Sequence, residues 1–405
     1  MLNSREISLK RAQELSSYAE KYAEARKNIS FGTSDAVQKS YSRQKDKLLK
    51  LLCAAESDWN DWKWQFRNRI SDAETLSKIL PLSEADCSEI EKIGESYRWA
   101  ITPYYLSLID ESYSDDPIAK MSIPQSPELI ETGEKDPMGE EFTNPCGSIT
   151  RRYPDRLIIN VTNACAMFCR HCQRRRKISD FDSDTPLQLI DESIEYIKNS
   201  PEIRDVLITG GDALALSDKR LDDILTRLRQ IPHVEIIRLG TRMPVTLPQR
   251  VTSELCEMLK KHHPIYVNVQ FNHPREMTLD AKKACEMLAN SGIPLGNQMV
   301  LLKGVNNDKY TVAALNHELL KARVKPYYIF HAKKVIGTAH FQTSIEEGLE
   351  IMEYLRGNTS GMAIPAYIIN APKGQGKTPI LPQYLIGKEG EKLKFRTWEG
   401  KTFEY

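Results

Sequence analysis

Leu157-Ile158-Ile159-Asn160-Val161-Thr162-Asn163-Ala164-Cys165-Ala166-Met167-Phe168-Cys169-Arg170-His171-Cys172 is the stretch on which the fold turns. Its apolar, β-branched opening predicts a buried strand, and three cysteines within eight positions follow at once. A rhythm of strand, loop and helix continues downstream. Strand-like runs occupy 205–209, 234–238, 265–269, 298–302 and 326–330, and helical patterns lie between or after them at 218–230, 248–261, 279–289 and 345–356. The last helix opens on a capping box of Ser344 and Glu347. Six such units predict an α/β fold, a parallel sheet with right-handed crossovers curled into a partial (β/α)6 barrel. Ligands of such barrels meet the carboxyl ends of the strands, where the cysteines fall.

Outward from that core, residues 1–113 read as an N-terminal helical region. The stretch 14–22 has helical spacing, and 58–66 is amphipathic and rich in tryptophan, which suits core or subunit contact. Between 114 and 155 the pattern breaks. Pro117, Pro124, Pro127, Pro137, Pro145 and Pro154 exclude a long helix or a central strand, so an extended segment wrapping the next domain is expected. The core then spans 156–358, and 359–405 forms a C-terminal extension. Of 405 residues, 40% are hydrophobic and 27% charged, and the net charge is +1. That balance offers no footprint for nucleic acid or an anionic membrane. No run approaches the roughly 20 apolar residues of a membrane span. The start, Met1-Leu2-Asn3-Ser4-Arg5-Glu6, lacks an apolar signal core, so a cytoplasmic location is expected.

Eight cysteines are too sparse for a disulfide scaffold. Cys53, Cys87, Cys146, Cys256 and Cys285 are scattered, and most are expected to be small buried apolar residues. Cys165, Cys169 and Cys172 need another reason. Three thiolates can each ligate one iron of a [4Fe-4S] cluster and leave the fourth iron without a protein ligand. Zinc held by the three cysteines and His171 is the alternative, disfavoured because His171 adjoins Cys172. Cys-x-x-x-Cys-x-x-Cys after the first strand of a βα repeat resembles the radical S-adenosylmethionine (SAM) superfamily. The resemblance implies SAM chelated by the open iron and cleaved on reduction to a carbon radical. Gly210-Gly211-Asp212 closes the second strand, where that superfamily sets a glycine-rich turn against the SAM amino group, and Asp212 is expected to pair with the ammonium.

Ala371-Pro372-Lys373-Gly374-Gln375-Gly376-Lys377-Thr378 matches a relaxed phosphate-binding loop. Such a loop needs a helix directly after its Gly-Lys-Thr, and Pro379 and Pro382 forbid one. The alternative is a lysine on a flexible glycine loop at the barrel mouth, suited to a Schiff base with pyridoxal 5′-phosphate (PLP). The wider sequence favours this. From about Asp58 to Tyr384 the chain resembles the lysine 2,3-aminomutase family, in its glutamate-acting branch. The likeness is carried by Asp58-Trp59-Asn60-Asp61-Trp62, Tyr153-Pro154-Asp155-Arg156, Cys169-Arg170-His171-Cys172 with Arg174-Arg175-Arg176, Gly210-Gly211-Asp212-Ala213-Leu214, Phe271-Asn272-His273-Pro274, Gly296-Asn297-Gln298 and the Lys377 loop. It implies that Lys377 carries PLP and that Arg174 binds the substrate α-carboxylate. It offers Arg152, Tyr153 and Arg156 for PLP, and Gln270 and Gln298 for SAM. An electron donor such as a flavodoxin or ferredoxin and a homo-oligomer are also expected. No cysteine follows Cys285, so the structural zinc of some relatives is not expected.

Lysine-specific members of the family grip the distal ammonium with two aspartates. The matching positions here are Lys333 and Asn370. Like charges about 4 Å apart at an effective dielectric near 20 cost on the order of 4 kcal/mol, which disfavours lysine, arginine or a protein-bound lysine. A distal carboxylate would instead pair with Lys333 and accept a hydrogen bond from Asn370. The expected reaction is interconversion of L-glutamate and β-glutamate, with aspartate as a shorter rival. A related protein without catalysis is the reading from another class, and retention of the triplet, Arg174 and Lys377 argues against it.

Overall fold

Leu157 and Ile159 are buried, while Arg156, Ile158 and Asn160 between them are half-buried, the period of two that a strand imposes. In the computed structural model, which describes residues 3–405, this strand opens a parallel run. Met1 and Leu2 of the start quoted above lie outside the described residues. An edge strand, β1 (Ile149–Arg151), pairs antiparallel with β2 (Arg156–Asn160). Then β3 (Asp205–Thr209), β4 (Ile236–Gly240), β5 (Ile265–Val269), β6 (Leu295–Leu301) and β7 (Val324–His331) follow, each parallel to its predecessor in chain order. These are the six expected βα units. A seventh parallel strand, β8 (Ala366–Ala371), pairs with β7, and β9 (Gly376–Ile380) returns antiparallel along the outer edge. Pro379 is tolerated there because an edge strand has no further neighbour to receive its missing N–H.

The helices cover the outer face of this sheet. In Asp218–Arg229 the buried residues are Leu221, Ile224, Leu225 and Leu228, one stripe of a 3.6-residue period. Ser217, Thr252, Thr278 and Asp308 each cap a helix by accepting a backbone N–H, and Ser344 with Glu347 forms the expected capping box. The helix expected over 248–261 is split. A short turn, Pro248–Arg250, ends before Thr252, which caps a separate helix, Ser253–Lys260.

The N-terminal region is helical, and Trp59 lies 1% exposed with its indole Nε1 donating to the Tyr41 hydroxyl at 3.2 Å. The first helix, Ser4–Arg26, buries no residue and touches the C-terminal end through Arg11–Glu399, 2.6 Å apart. Segment 114–155 holds one short α-helix, Pro117–Ser122, and the edge strand β1, and otherwise runs in turns and short 3-10 stretches. The C-terminus ends in a three-stranded meander of β10 (Leu385–Glu389), β11 (Lys392–Arg396) and β12 (Thr402–Glu404). Among the described residues no helix is long and apolar enough to cross a membrane. The scattered cysteines correct one expectation: Cys256 and Cys285 are buried, but Cys87 and Cys146 are half-buried and Cys53 is exposed.

The turn after β3 explains its two glycines. Gly210 adopts φ +139°, and the backbone N–H groups of Gly211 and Asp212 donate to the carbonyls of Thr162 and Ala164 at 2.5 and 2.9 Å. A Cβ on Gly211 would stand 2.3 Å from the Ala164 carbonyl oxygen. The glycines therefore bring β3 against the backbone that leads into Cys165. Gly211→Ala is expected to cost at least about 1–3 kcal/mol and to lower bound iron, measured as melting temperature and iron per chain.

Candidate active site

Every strand from β2 to β9 contributes at least one residue to a single cavity of about 590 Å³, within the roughly 300–1,000 Å³ of cofactor and small-molecule sites. Only a sheet curled about one axis can aim so many strands at one space. The cavity is lined by Cys165, Cys169 and Cys172 and by Lys377 and Asn370. Gly210, Gly211, Asp212, Gln270, Gln298, Arg152, Arg174 and Lys333 line it as well. Tyr153 and Arg156 stand behind the lining. The Tyr153 hydroxyl accepts the Lys377 backbone N–H at 2.9 Å, and the Arg156 guanidinium stacks 3.9 Å above the Tyr153 ring.

Burial pushes the Cys165 thiol well up, and Asp212 and the other two cysteines add to the rise. A thiolate at Cys165 would therefore need a cation bound to it to hold its charge. Among the described residues no three His, Cys, Asp or Glu side chains are arranged around a single metal ion. A cluster spreads its thiolates over three irons and does not require one shared point. His171 turns away: its Nε2 approaches Gln270 Nε2 at 3.4 Å and its ring meets the Phe341 edge at 5.9 Å. Asp212 has a structural task as well. Its carboxylate already accepts from Leu214 N, Thr241 Oγ1 and Arg242 N at 3.0, 2.6 and 2.6 Å. It holds the turn, a task not visible in the tripeptide alone.

Lys377 also corrects an expectation. It lies in strand β9, paired with Asn370 of β8, and not in a flexible loop. The bend before it is a tight turn in which Lys373 and Gly374 take φ of +55° and +77°. The residue is exposed in that strand, and its ammonium lines the cavity 4.9 Å over the Tyr328 ring. Desolvation, then Arg238, Arg156 and Arg152, lower its pKa to about 8, which leaves a useful fraction as the nucleophilic free amine. Desolvation followed by Arg174, Arg152 and Lys377 lowers half-buried Lys333 to about 7. Its Nζ donates to Gln173 Oε1, a contact the sequence reading did not single out.

Glu140 was missed as well. Its side chain is 3% exposed and sits among Arg174 Nε at 3.0 Å, Lys177 Nζ at 3.0 Å, Arg152 Nη2 at 3.2 Å and Arg176 Nη2 at 3.5 Å. Burial alone would raise its carboxyl, but the charges of Arg174, Lys177 and Arg152 outweigh burial and hold it well below the usual carboxylate range. Because Glu140 takes Arg174 by Nε, the two Nη groups make no hydrogen bond among the described residues. Arg152 Nε and Asn370 Nδ2 are buried donors without hydrogen-bond partners among the described residues. Unmet donors on a lining that carries Arg152, Arg174, Lys177, Arg242, Lys333 and Lys377 against Asp184 and Asp212 fit a phosphate and carboxylates.

A half-open barrel with this cysteine loop and glycine turn defines the class, and the comparisons agree. Residues 159–314 match the radical SAM superfamily, and 352–405 match the lysine-2,3-aminomutase C-terminal family. The chain is 59% identical over 399 residues to glutamate 2,3-aminomutase of Clostridioides difficile (strain 630), covering 98% of this chain and 94% of that protein. It is 48% identical to L-lysine 2,3-aminomutase of Acetoanaerobium sticklandii (89% of this chain, 87% of that protein) and 47% identical to that of Clostridium subterminale (87% and 85%). The chain is thus a radical SAM enzyme. It belongs to the lysine 2,3-aminomutase family, isomerases that use a [4Fe-4S] cluster, SAM and PLP.

Glu140→Gln is expected to destabilise the fold by about 3–5 kcal/mol, because it strips the counter-charge from buried guanidinium groups. The ionised carboxylate is present throughout the neutral range, so the melting-temperature loss should be the same at pH 6 and pH 8.

Proposed function

We propose that this enzyme interconverts L-glutamate and β-glutamate by moving the amino group between C2 and C3. The observation that carries the reading is the pair Lys333 and Asn370 on the cavity wall, a cation and an unmet amide donor. By family resemblance these are the positions where lysine-specific members carry aspartates. The relative at 59% identity bears the name of the same reaction, which supports it.

In this reading Cys165, Cys169 and Cys172 hold the cluster, and the backbone around Gly210–Asp212, with Gln270 and Gln298, borders SAM. Lys377 holds PLP, with Arg152, Tyr153 and Arg156 on its phosphate and ring side. The cluster with SAM supplies a carbon radical for hydrogen abstraction at C3, and PLP supplies the carbonyl that binds the migrating nitrogen. The chain's own work is placement. The Arg174 Nη groups take the α-carboxylate bidentately, while Lys333 and Asn370 Nδ2 take the distal carboxylate. Fixing both ends leaves C3 one orientation toward the radical source. A fraction of Lys377 is kept as free amine by desolvation and then by its neighbouring arginines. We infer further that the enzyme works in the cytoplasm, which its eight unpaired cysteines suit. Its electron would come from a flavodoxin or ferredoxin, and a homo-oligomer fits exposed Ile7, Leu9 and Leu15 on the first helix.

Anaerobic assay of the reconstituted enzyme should give turnover with glutamate well above aspartate, lysine or arginine. Exchanging Lys333 and Asn370 together for Asp should abolish glutamate turnover, and unchanged glutamate kinetics would sink the proposal. The pH profile gives a separate check. Lys333 titrates at about 7 in the free site, and a bound carboxylate must raise that value, so binding takes up a proton above pH 7. Apparent glutamate affinity should be flat below that pH and fall by up to about tenfold per unit above it. Lys333→Arg, which stays charged, should flatten this fall as read in KM.

A further inference from the structure

Arg242 has no part in the roles assigned so far, yet it touches the cysteine loop directly. It follows β4 and is 7% exposed. Its Nη1 donates to Cys169 Sγ at 2.8 Å, and its Nε donates to the Gln270 carbonyl at 3.2 Å. Its Nη2 meets Glu276 Oε1 at 2.5 Å and the Tyr105 hydroxyl at 3.2 Å. Glu276 is itself 0% exposed and is fixed by the Tyr105 hydroxyl and the backbone N–H groups of Asn272 and His273. The guanidinium therefore has one orientation, and that orientation aims a charged N–H at sulfur.

The three sulfurs are not equivalent. Cys172 Sγ accepts one neutral backbone N–H, from Arg174 at 3.3 Å, and Cys165 Sγ accepts none among the described residues. Among the described residues only Cys169 accepts a hydrogen bond from a cation. Hydrogen bonds to the sulfurs and the charge around a cluster set its reduction potential. Adding one electron adds one negative charge, which a fixed guanidinium against a ligand sulfur stabilises more in the reduced state than in the oxidised state.

We propose that Arg242, held by Glu276 and Tyr105, is a positioning residue that raises the reduction potential of the cluster through Cys169. It brings the single electron from the external flavodoxin-class or ferredoxin-class donor within reach. The inference rests on Cys169 as a cluster ligand and does not depend on which amino acid is the substrate.

The test uses the full chain, reconstituted anaerobically as wild type, Arg242→Gln and Arg242→Lys. Iron and sulfide per chain are counted first, and the midpoint potential is then measured by redox titration followed by electron paramagnetic resonance. Arg242→Gln is expected to hold the cluster with a midpoint shifted to more negative potential. Arg242→Lys, which keeps the charge but loses the planar fork, is expected to shift the same way by less. A full cluster with the wild-type midpoint in Arg242→Gln overturns the proposal. If only Arg242→Gln loses iron, Arg242→Lys decides by the same criterion, and loss of iron from both variants overturns it in favour of a role in assembly alone. A wild-type chain that takes up no cluster would instead overturn the assignment of the cysteines.

Discussion

The site depends on keeping many cations together at one end of a barrel. Arg152, Arg174, Lys177, Arg242, Lys333 and Lys377 all line one cavity, and like charges at such spacing repel by several kcal/mol at the effective dielectric of a partly buried site. Buried glutamates offset this repulsion. Glu140 takes Arg174 and its neighbours, Glu276 takes Arg242, and behind the lining Glu128 takes Arg170 and Arg175 at 2.6 and 2.5 Å. Each pair is expensive to bury, and breaking one leaves a charge without an answer. What these pairs contribute is direction. A guanidinium gripped on one edge presents its other edge to the cavity in one orientation.

Two of these glutamates come from the proline-rich segment that the sequence shows as mere wrapping. Glu128 and Glu140 lie between Pro127 and Pro145, and the same stretch is tied to the Lys377 turn. Lys373 N donates to the Pro137 carbonyl at 2.9 Å, and Gly139 packs so that its Cβ would lie 3.3 Å from Lys373 Cα. A segment with little regular structure thus joins the cysteine loop to the Lys377 turn. Prolines serve this purpose well, because they stiffen a chain without committing its N–H groups to a sheet.

The barrel itself is legible from the sequence because its signal is local. The runs around 157, 205, 236, 265, 298 and 326 are apolar and β-branched, and helical stripes separate them, so the six units follow from pattern alone. Strand β8 is less visible, since six residues between Pro365 and Pro372 look like a loop until β7 is present to pair with them. Strand β9 carries Pro379 and reads as a breaker, because nothing in the sequence states that it is an edge. The same limit applies within the site. The cysteines, Lys377 and Arg174 carry chemistry in motifs, whereas Gln173, Glu140 and Arg242 act through partners distant in sequence. Their roles are properties of the folded contacts.

The shared field also explains why the two lysines suit one substrate. Arg152 lowers the pKa of both Lys377 and Lys333. For Lys377, where desolvation is the largest cause, the consequence is a fraction of free amine at neutral pH. For Lys333 it is a site that gains a proton when a carboxylate arrives, so the anion and the proton enter together. A cationic side chain would add to the repulsion that already depresses both groups. An anionic one relieves it and recharges Lys333, where it then makes its own ion pair. In the proposed reading, selectivity for an acidic amino acid and activation of Lys377 therefore share their physical sources, desolvation and a surplus of positive charge that Glu140 only partly offsets.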